Sequence, residues 1–150
     1  MPVSQGHNPS SALEAFLALS SGGGNGVIRN HLDEGEVVAT DPVGLTVSIG
    51  AFRGYIALRA AKLVTAFETP AFVAPTGGSA GDVRRIDTIQ YSLTGGVEVK
   101  TGIEAPSPVA VAVDSDALLL AWVYLRTGMT SIKDASDGTN GYIVDKRVFV

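Results

Sequence analysis

The chain of 150 residues contains no cysteine, which excludes disulfides and thiolate-bound metal ions. Charged residues are also scarce, at 17% of the chain against ~25% in typical soluble proteins. Such a shortage fits either a small monomer with a neutral surface or a protein whose surface is partly covered by other protein. The net charge of −4 provides no basic face for a nucleic-acid backbone or an anionic membrane. We therefore expect no nucleic-acid partner.

Long apolar runs are absent as well. The longest candidate covers residues 117–125, about half of the ~18 residues that a membrane-spanning helix needs. The first ten residues have neither the basic segment nor the apolar core of a signal peptide. The sequence therefore predicts no membrane partner and no secretion by the usual route.

The N-terminal residues predict one short helix over residues 11–20. Ser11 and Glu14 have the spacing of a capping box, in which each side chain satisfies a backbone N–H of the first helical turn. The helix would carry an apolar stripe and is too short to be stable alone, so it must dock on other protein. The stripe consists of Leu13, Phe16 and Leu17.

A glycine-rich linker over residues 20–26 separates this helix from the rest of the chain. We therefore expect an N-terminal arm over residues 1–26 and a β-rich domain over residues 27–150. The helix could fold back on its own sheet or reach a neighbouring subunit, and the sequence leaves both possibilities open.

Apolar residues from position 27 onward follow the alternating pattern of half-buried strands. Leu45, Val47 and Ile49, for example, alternate with polar side chains. Many short strands with turn residues between them predict an all-β fold, a small antiparallel sandwich or barrel. Further strands are predicted over residues 36–40, 55–58, 62–67, 86–93, 97–101, 117–125, 131–133 and 142–150.

Residues 82–102 predict a β-hairpin that turns at Gly95 and Gly96. Residues 117–125 are apolar without alternation, which indicates a central strand buried on both faces. Trp122 lies in this strand, where a core or interface position is favoured over a sugar-stacking platform.

Two Arg–Asp pairs are the most suggestive polar residues. Arg85 with Asp87, and Asp145 with Arg147, have the i, i+2 spacing that places both members on one face of a strand. They could bind a sugar or a carboxylate, or they could form structural charge pairs. No aromatic platform or convergent acid accompanies them, which favours the structural role. If their strands were neighbours, the four charges would form a cross-strand lattice.

No other pattern predicts a catalytic, metal or cofactor site. His7 and His31 have no second ligand at metal-binding spacing. Asp114 and Asp116 could be paired acids, although a solvated loop is favoured. The glycine-rich residues 77–81 lack the Gly-Lys-Ser/Thr of a phosphate loop. We therefore expect no enzyme activity and no cofactor.

The second half of the chain, residues 80–150, resembles a β domain of tailed-bacteriophage virion proteins. That domain occurs in head decoration or head-fibre proteins and in baseplate or tail-appendage proteins. The resemblance rests on Arg85-Ile-Asp-Thr-Ile89, the hairpin Gly95-Gly-Val-Glu-Val99, Pro106 and Pro108, the strand Ala117-Leu-Leu-Leu-Ala-Trp-Val-Tyr-Leu125, and Ile143-Val-Asp-Lys-Arg147.

The resemblance implies a noncatalytic structural protein of the virion, assembled in the host cytoplasm. It implies a homotrimer whose partners are the major capsid protein or tail and baseplate proteins. The leading hypothesis is a head decoration protein whose arm contacts the shell or a neighbour. A tail or baseplate adaptor and a small carbohydrate-binding module are the alternatives.

Overall fold

The computed structural model describes residues 25–29 and 33–150. These residues form eleven strands and no helix. The predicted arm, with its helix over residues 11–20, lies outside the described residues apart from its last two positions. The strands are β1 (Gly26–Val27), β2 (Val37–Ala39), β3 (Val47–Ile49), β4 (Phe52–Ile56), β5 (Arg59–Leu63), β6 (Phe67–Glu68), β7 (Val83–Ser92), β8 (Gly96–Lys100), β9 (Ala117–Arg126), β10 (Ile132–Lys133) and β11 (Gly141–Asp145).

The strands form three sheets, so the predicted all-β class is confirmed. Two sheets have three strands each, in the orders β1-β4-β5 and β2-β3-β6, and the third has the order β10-β11-β9-β7-β8. Every strand pair is antiparallel except β10 with β11. Each sheet has two open edges within the described part of the chain, so the barrel alternative is wrong.

The five-stranded sheet contains the predicted hairpin and the predicted central strand. β7 pairs with β8 across the turn, with Ile89 opposite Val99, and β9 lies in the middle of the sheet. Burial along β9 is nevertheless uneven. Val123 and Leu125 are fully buried, whereas Trp122 and Tyr124 are only half-buried. The expected burial on both faces is therefore wrong, and one face of β9 stays partly open.

One hydrophobic core joins all three sheets. Leu120 and Val123 of β9 pack in the same cluster as Ile56 of β4 and Ile49 of β3, and all four are completely buried. Each such side chain contributes roughly 1.5–3 kcal/mol by leaving water. One face of the five-stranded sheet therefore lies against the core, and half-buried side chains such as Trp122 and Tyr124 lie on the other face.

The hairpin between β4 and β5 differs from the sequence-based prediction. Its turn lies at Ala57 and Leu58, which adopt positive φ angles of 50° and 64°. Alanine and leucine are not typical of such a turn. The alternation in the sequence therefore placed the two strands too far along the chain, at residues 55–58 and 62–67. The backbone N–H of Ala57 donates to Oδ1 of Asn25 at 2.7 Å, which ties the turn to the residue before β1.

The predicted last strand over residues 142–150 is shorter in the structure, since β11 ends at Asp145. The remaining residues turn away and pair with β1. Val27 N–H donates to the carbonyl of Val148 at 2.8 Å, and Val150 N–H donates to the carbonyl of Val27 at 3.0 Å. Val27, the first residue after the predicted arm, therefore lies beside the C-terminal residues of the chain. Among the described strands and loops, no helix exists that is long and apolar enough to cross a membrane.

Candidate assembly surface

Arg85 and Asp87 form a buried ion pair on β7. Arg85 Nε lies 2.8 Å from Asp87 Oδ1, and Nη2 lies 3.1 Å from Oδ2. Asp87 Oδ1 also accepts the backbone N–H of Gly102 at 2.9 Å, and Arg85 Nη2 donates to the carbonyl of Val73 at 2.9 Å. The side chains are 2% and 11% exposed for Asp87 and Arg85 respectively. The pair therefore ties β7 to two loops, and both carboxylate oxygens of Asp87 are engaged within the chain.

Asp145 and Arg147 form a second pair, at and just beyond the end of β11. Arg147 Nε and Nη2 lie 2.9 Å and 2.6 Å from the two carboxylate oxygens of Asp145. Arg147 Nη1 donates to the carbonyl of Glu34 at 2.8 Å, and its guanidinium lies 5.0 Å from the ring centre of Phe149. Hydrogen bonding to Arg147 lowers the pKa of Asp145. Arg147 thus joins the C-terminal segment to the turn that precedes β2.

The predicted lattice between the two pairs is wrong. β9 lies between β7 and β11, and Asp87 and Asp145 lie opposite Val123 and Ala121 of β9. Each arginine binds the aspartate two positions away on its own segment. The i, i+2 spacing fixes which residues share a face, but it carries no information on the order of strands in a sheet.

The outer face of the five-stranded sheet carries a cluster of aromatic and cationic side chains, here called the aromatic face. Tyr124 of β9 lies opposite Tyr142 of β11, and their rings stack with centres 4.8 Å apart and 14° between planes. The guanidinium of Arg126 lies 5.3 Å from the ring centre of Tyr142. Lys146 Nζ lies 4.1 Å from the ring centre of Trp122. All five side chains are half-buried.

The aromatic face has the composition of a protein interface. Trp, Tyr and Arg are enriched where proteins associate, because they offer large contact areas with polar tips. Stacking and cation–π contacts hold the rings in place within the chain, which reduces the entropy lost on binding. Burial and the neighbouring Tyr142 raise the pKa of Tyr124, so this hydroxyl stays neutral and can donate a hydrogen bond.

A long crossover between β8 and β9 covers the neighbouring part of the sheet. The hydroxyl of Thr88 donates to the carbonyl of Val111 at 2.7 Å. Gln90 Nε2 donates to Asp114 Oδ2 at 2.7 Å, and Asp114 N–H donates back to Gln90 Oε1 at 3.0 Å. Hydrogen bonds from Lys100 and Gln90 lower the pKa of Asp114. Asp114 therefore anchors the crossover as a carboxylate.

The glycine-rich loop holds a carboxylate from its own chain. The backbone N–H groups of Thr76 and Gly77 both donate to Glu104 Oε1, at 2.8 Å and 3.1 Å. These two hydrogen bonds lower the pKa of Glu104. The amides that could hold a phosphate group are thus taken by Glu104.

Within residues 25–29 and 33–150, no group of three His, Cys, Asp or Glu side chains could hold a metal ion. His7 and His31 lie outside the described residues, as do Leu13, Phe16 and Leu17 of the predicted arm interface.

A cavity of about 680 Å³ opens beside β4 and β5. Among the described residues, its lining includes the apolar side chains of Phe52 and Leu63 and the charged side chains of Arg29, Glu34, Arg53 and Lys62. Its lining includes Ile28 and Arg29, the two residues that follow β1.

Comparison with known proteins finds no match: no protein-family model, no curated protein and no solved structure is similar to this chain.

The aromatic face was not predicted from the sequence. Its signal was present, because Trp122, Tyr124 and Arg126 alternate along β9 and therefore share a face. Tyr142 lies 18 positions after Tyr124, and only the pairing of β9 with β11 brings the two rings together.

Proposed function

We propose that the chain is a noncatalytic structural protein of a tailed-bacteriophage particle, a homotrimer that decorates and reinforces the head. The aromatic face carries this proposal, because a rigid, half-buried array of Trp, Tyr and Arg suits association with protein. The low charge of the chain, 17%, is compatible with a surface that other subunits partly cover. The motif order over residues 80–150 supports the assignment to a virion.

The proposal includes a sandwich arrangement of the sheets. The five-stranded sheet would form one layer and the two three-stranded sheets the other, with the common core between them. This arrangement leaves the aromatic face pointing away from the core, where a second subunit can contact it.

The N-terminal arm would then attach the subunit to the shell or to a neighbour. Leu13, Phe16 and Leu17 would each contribute roughly 1.5–3 kcal/mol on burial. When many subunits bind one symmetric shell, their contacts act together, and this avidity strengthens the attachment beyond that of a single arm. Weak individual contacts are therefore sufficient for reinforcement.

Native mass spectrometry of the full chain tests the oligomer. The expected species has three times the subunit mass of 15.4 kDa. Replacing Trp122 and Tyr142 together by serine should shift it to monomer without loss of β-structure. A wild-type chain that stays monomeric at high concentration contradicts the proposal.

Binding to heads tests the second half of the proposal. Full-length chain should cosediment with capsids that have been stripped of accessory proteins. The variant with serine at Leu13, Phe16 and Leu17 should remain soluble and folded but lose this binding. A variant that binds as well as the wild type contradicts the role of the arm. Cosedimentation with tails instead of heads would support the tail-adaptor alternative.

A small carbohydrate-binding module is the second candidate, because the aromatic face has three aromatic side chains on one side of a sheet. Its rings already contact Lys146, Arg126 and one another, which leaves less flat ring surface for sugar stacking. A glycan array with the free protein separates the two functions, since specific glycan binding that Trp122→Ala abolishes would favour the module.

A further inference from the structure

The crossover between β8 and β9 contains an apolar stretch whose backbone has few partners. Residues 108–114 run without a turn or bend and are therefore extended. Among the described residues, one hydrogen bond engages the backbone of residues 106–113, and it runs from the Thr88 hydroxyl to the carbonyl of Val111, at 2.7 Å. Unpaired N–H and C=O groups along an extended segment are a template for another strand. This stretch is therefore an open β-edge.

The hydrogen bond of Val111 decides which backbone groups face outward. In an extended chain, the backbone groups of successive residues point to opposite sides. The carbonyl of Val111 points towards β7, so Ala110 and Ala112 present their N–H and C=O groups to the opposite side. These groups have no partner within residues 25–29 and 33–150. A strand from another chain could pair with them.

The sequence of this stretch suits a second copy of the same chain. Residues 109–113 read Val-Ala-Val-Ala-Val, the same in both directions. When two copies run antiparallel about a two-fold axis at Val111, each valine lies opposite a valine and each alanine opposite an alanine. Pairs of β-branched side chains across strands are favourable. No charged residue lies between Glu104 and Asp114, so no like charges meet in the paired stretch.

The available N–H groups allow one register. In that register Ala110 of one copy lies opposite Ala112 of the other, and the two exchange both of their backbone hydrogen bonds. A shift by two residues in one direction would need the N–H that Pro108 lacks. A shift in the other direction would need the N–H of Asp114, which already donates to Gln90 Oε1 at 3.0 Å. A shift by one residue would place outward groups opposite inward ones.

We propose that residues 109–113 pair with the same residues of a second copy, as an antiparallel ladder whose two-fold axis passes through Val111. A two-fold contact of this kind uses the same surface on both copies, so it closes after two copies and does not grow into a fibre. The open edge of the crossover is thereby covered.

The contact is small. A ladder over residues 109–113 buries far less surface than the ~1,200–2,000 Å² of a stable interface, so pairing is weak in dilute solution. It forms where subunits are already held close together, and it uses no residue of the aromatic face. The inference does not rest on the proposed function, because the pairing of two copies needs neither a trimer nor a virion.

Disulfide capture tests the register, because the chain has no cysteine. In Val111→Cys the two introduced side chains meet across the axis, with Cα atoms ~4.5 Å apart, within the ~4.4–6.8 Å that a disulfide spans. In the control, Val109→Cys, the two positions lie ~13 Å apart along the strands. Val109 is 79% exposed in the free chain and Val111 is half-buried, so random collisions favour the control.

In a glutathione redox buffer at high protein concentration, Val111→Cys should form a two-chain disulfide about tenfold or more faster than Val109→Cys. An equal mixture of Val109→Cys and Val113→Cys should cross-link mainly into mixed pairs, because these two positions lie opposite each other. Circular dichroism of each variant checks that the domain is folded. Equal rates for Val111→Cys and Val109→Cys overturn the inference, and so does a statistical mixture of pairs.

A proline separates backbone pairing from side-chain contact. Ala112→Pro removes the outward N–H and should slow the cross-linking of Val111→Cys severalfold. Ala112→Ser keeps that N–H and should leave the rate within about twofold. Equal rates for these two double variants overturn the inference, because the contact is then not a β-ladder. The trimer is measured separately, by native mass spectrometry of the wild type and of the variant with serine at Trp122 and Tyr142, so either result can fail without the other.

Discussion

Replacing Asp87 by alanine should strongly destabilise the fold. The change leaves the buried guanidinium of Arg85 without its carboxylate and the backbone N–H of Gly102 without its acceptor. Removing one member of a buried ion pair costs about 3–5 kcal/mol, and an unsatisfied buried donor costs about 1–3 kcal/mol. Arg85 is 11% exposed and can turn partly to solvent, so we expect a loss of about 3–4 kcal/mol.

Urea denaturation followed by circular dichroism measures this loss. A fall of 3–4 kcal/mol corresponds to a urea midpoint lower by about 1–4 M, with an unchanged slope. This is a large part of the ~5–15 kcal/mol that stabilises a typical domain. Lys100→Ala is the control, since it breaks the solvent-exposed pair with Asp114 and should cost less than about 1 kcal/mol.

A double variant separates the charge from the packing. Arg85→Met with Asp87→Leu removes both charges together, so no buried charge remains unpaired, and it should lose less stability than Asp87→Ala alone. The reasoning is refuted if Asp87→Ala shifts the midpoint no more than the Lys100→Ala control does. It is refuted equally if the double variant is as unstable as the single one.

Three further predictions follow from the same contacts. Arg147→Ala should lower the free energy of unfolding by about 1–3 kcal/mol, because the hydrogen bonds of Arg147 join two segments of the chain while the carboxylate left behind, Asp145, is exposed; a thermal midpoint within one degree of the wild type would contradict this. The folded-state pKa of Asp145 is lowered from its ordinary value of 3.8. Its contribution is therefore complete above that value and is lost as the pH falls through the folded pKa. Asp145→Asn should flatten this part of the stability–pH curve, and an unchanged slope would refute the assignment. Trp122→Ala or Tyr142→Ala should weaken the oligomer at least about tenfold in sedimentation equilibrium, and unchanged association would exclude the aromatic face as the interface.

Local pattern was sufficient to predict much of the five-stranded sheet. The hairpin of β7 and β8 follows from alternation on both sides of Gly95 and Gly96, and the central place of β9 follows from its apolar run. The turn at Ala57 and Leu58 could not be predicted in this way, because the tertiary structure holds ordinary residues at positive φ there.

The site depends on strand order, which local pattern does not contain. Spacing correctly placed Arg85 beside Asp87, and Asp145 beside Arg147. It could not reveal that β9 separates the two pairs, nor that Tyr142 stacks on Tyr124. Long-range pairing decides which strand faces meet, so an interface made from several strands becomes visible only in the folded chain.

The most direct test of the central claim is quantitative mass spectrometry of phage particles purified from the source of this sequence on a density gradient. A structural protein of the virion should band with the particles and keep a fixed molar ratio to the major head protein through successive purifications. A chain that remains in the soluble fraction, or whose ratio falls with each purification, would contradict the proposed function.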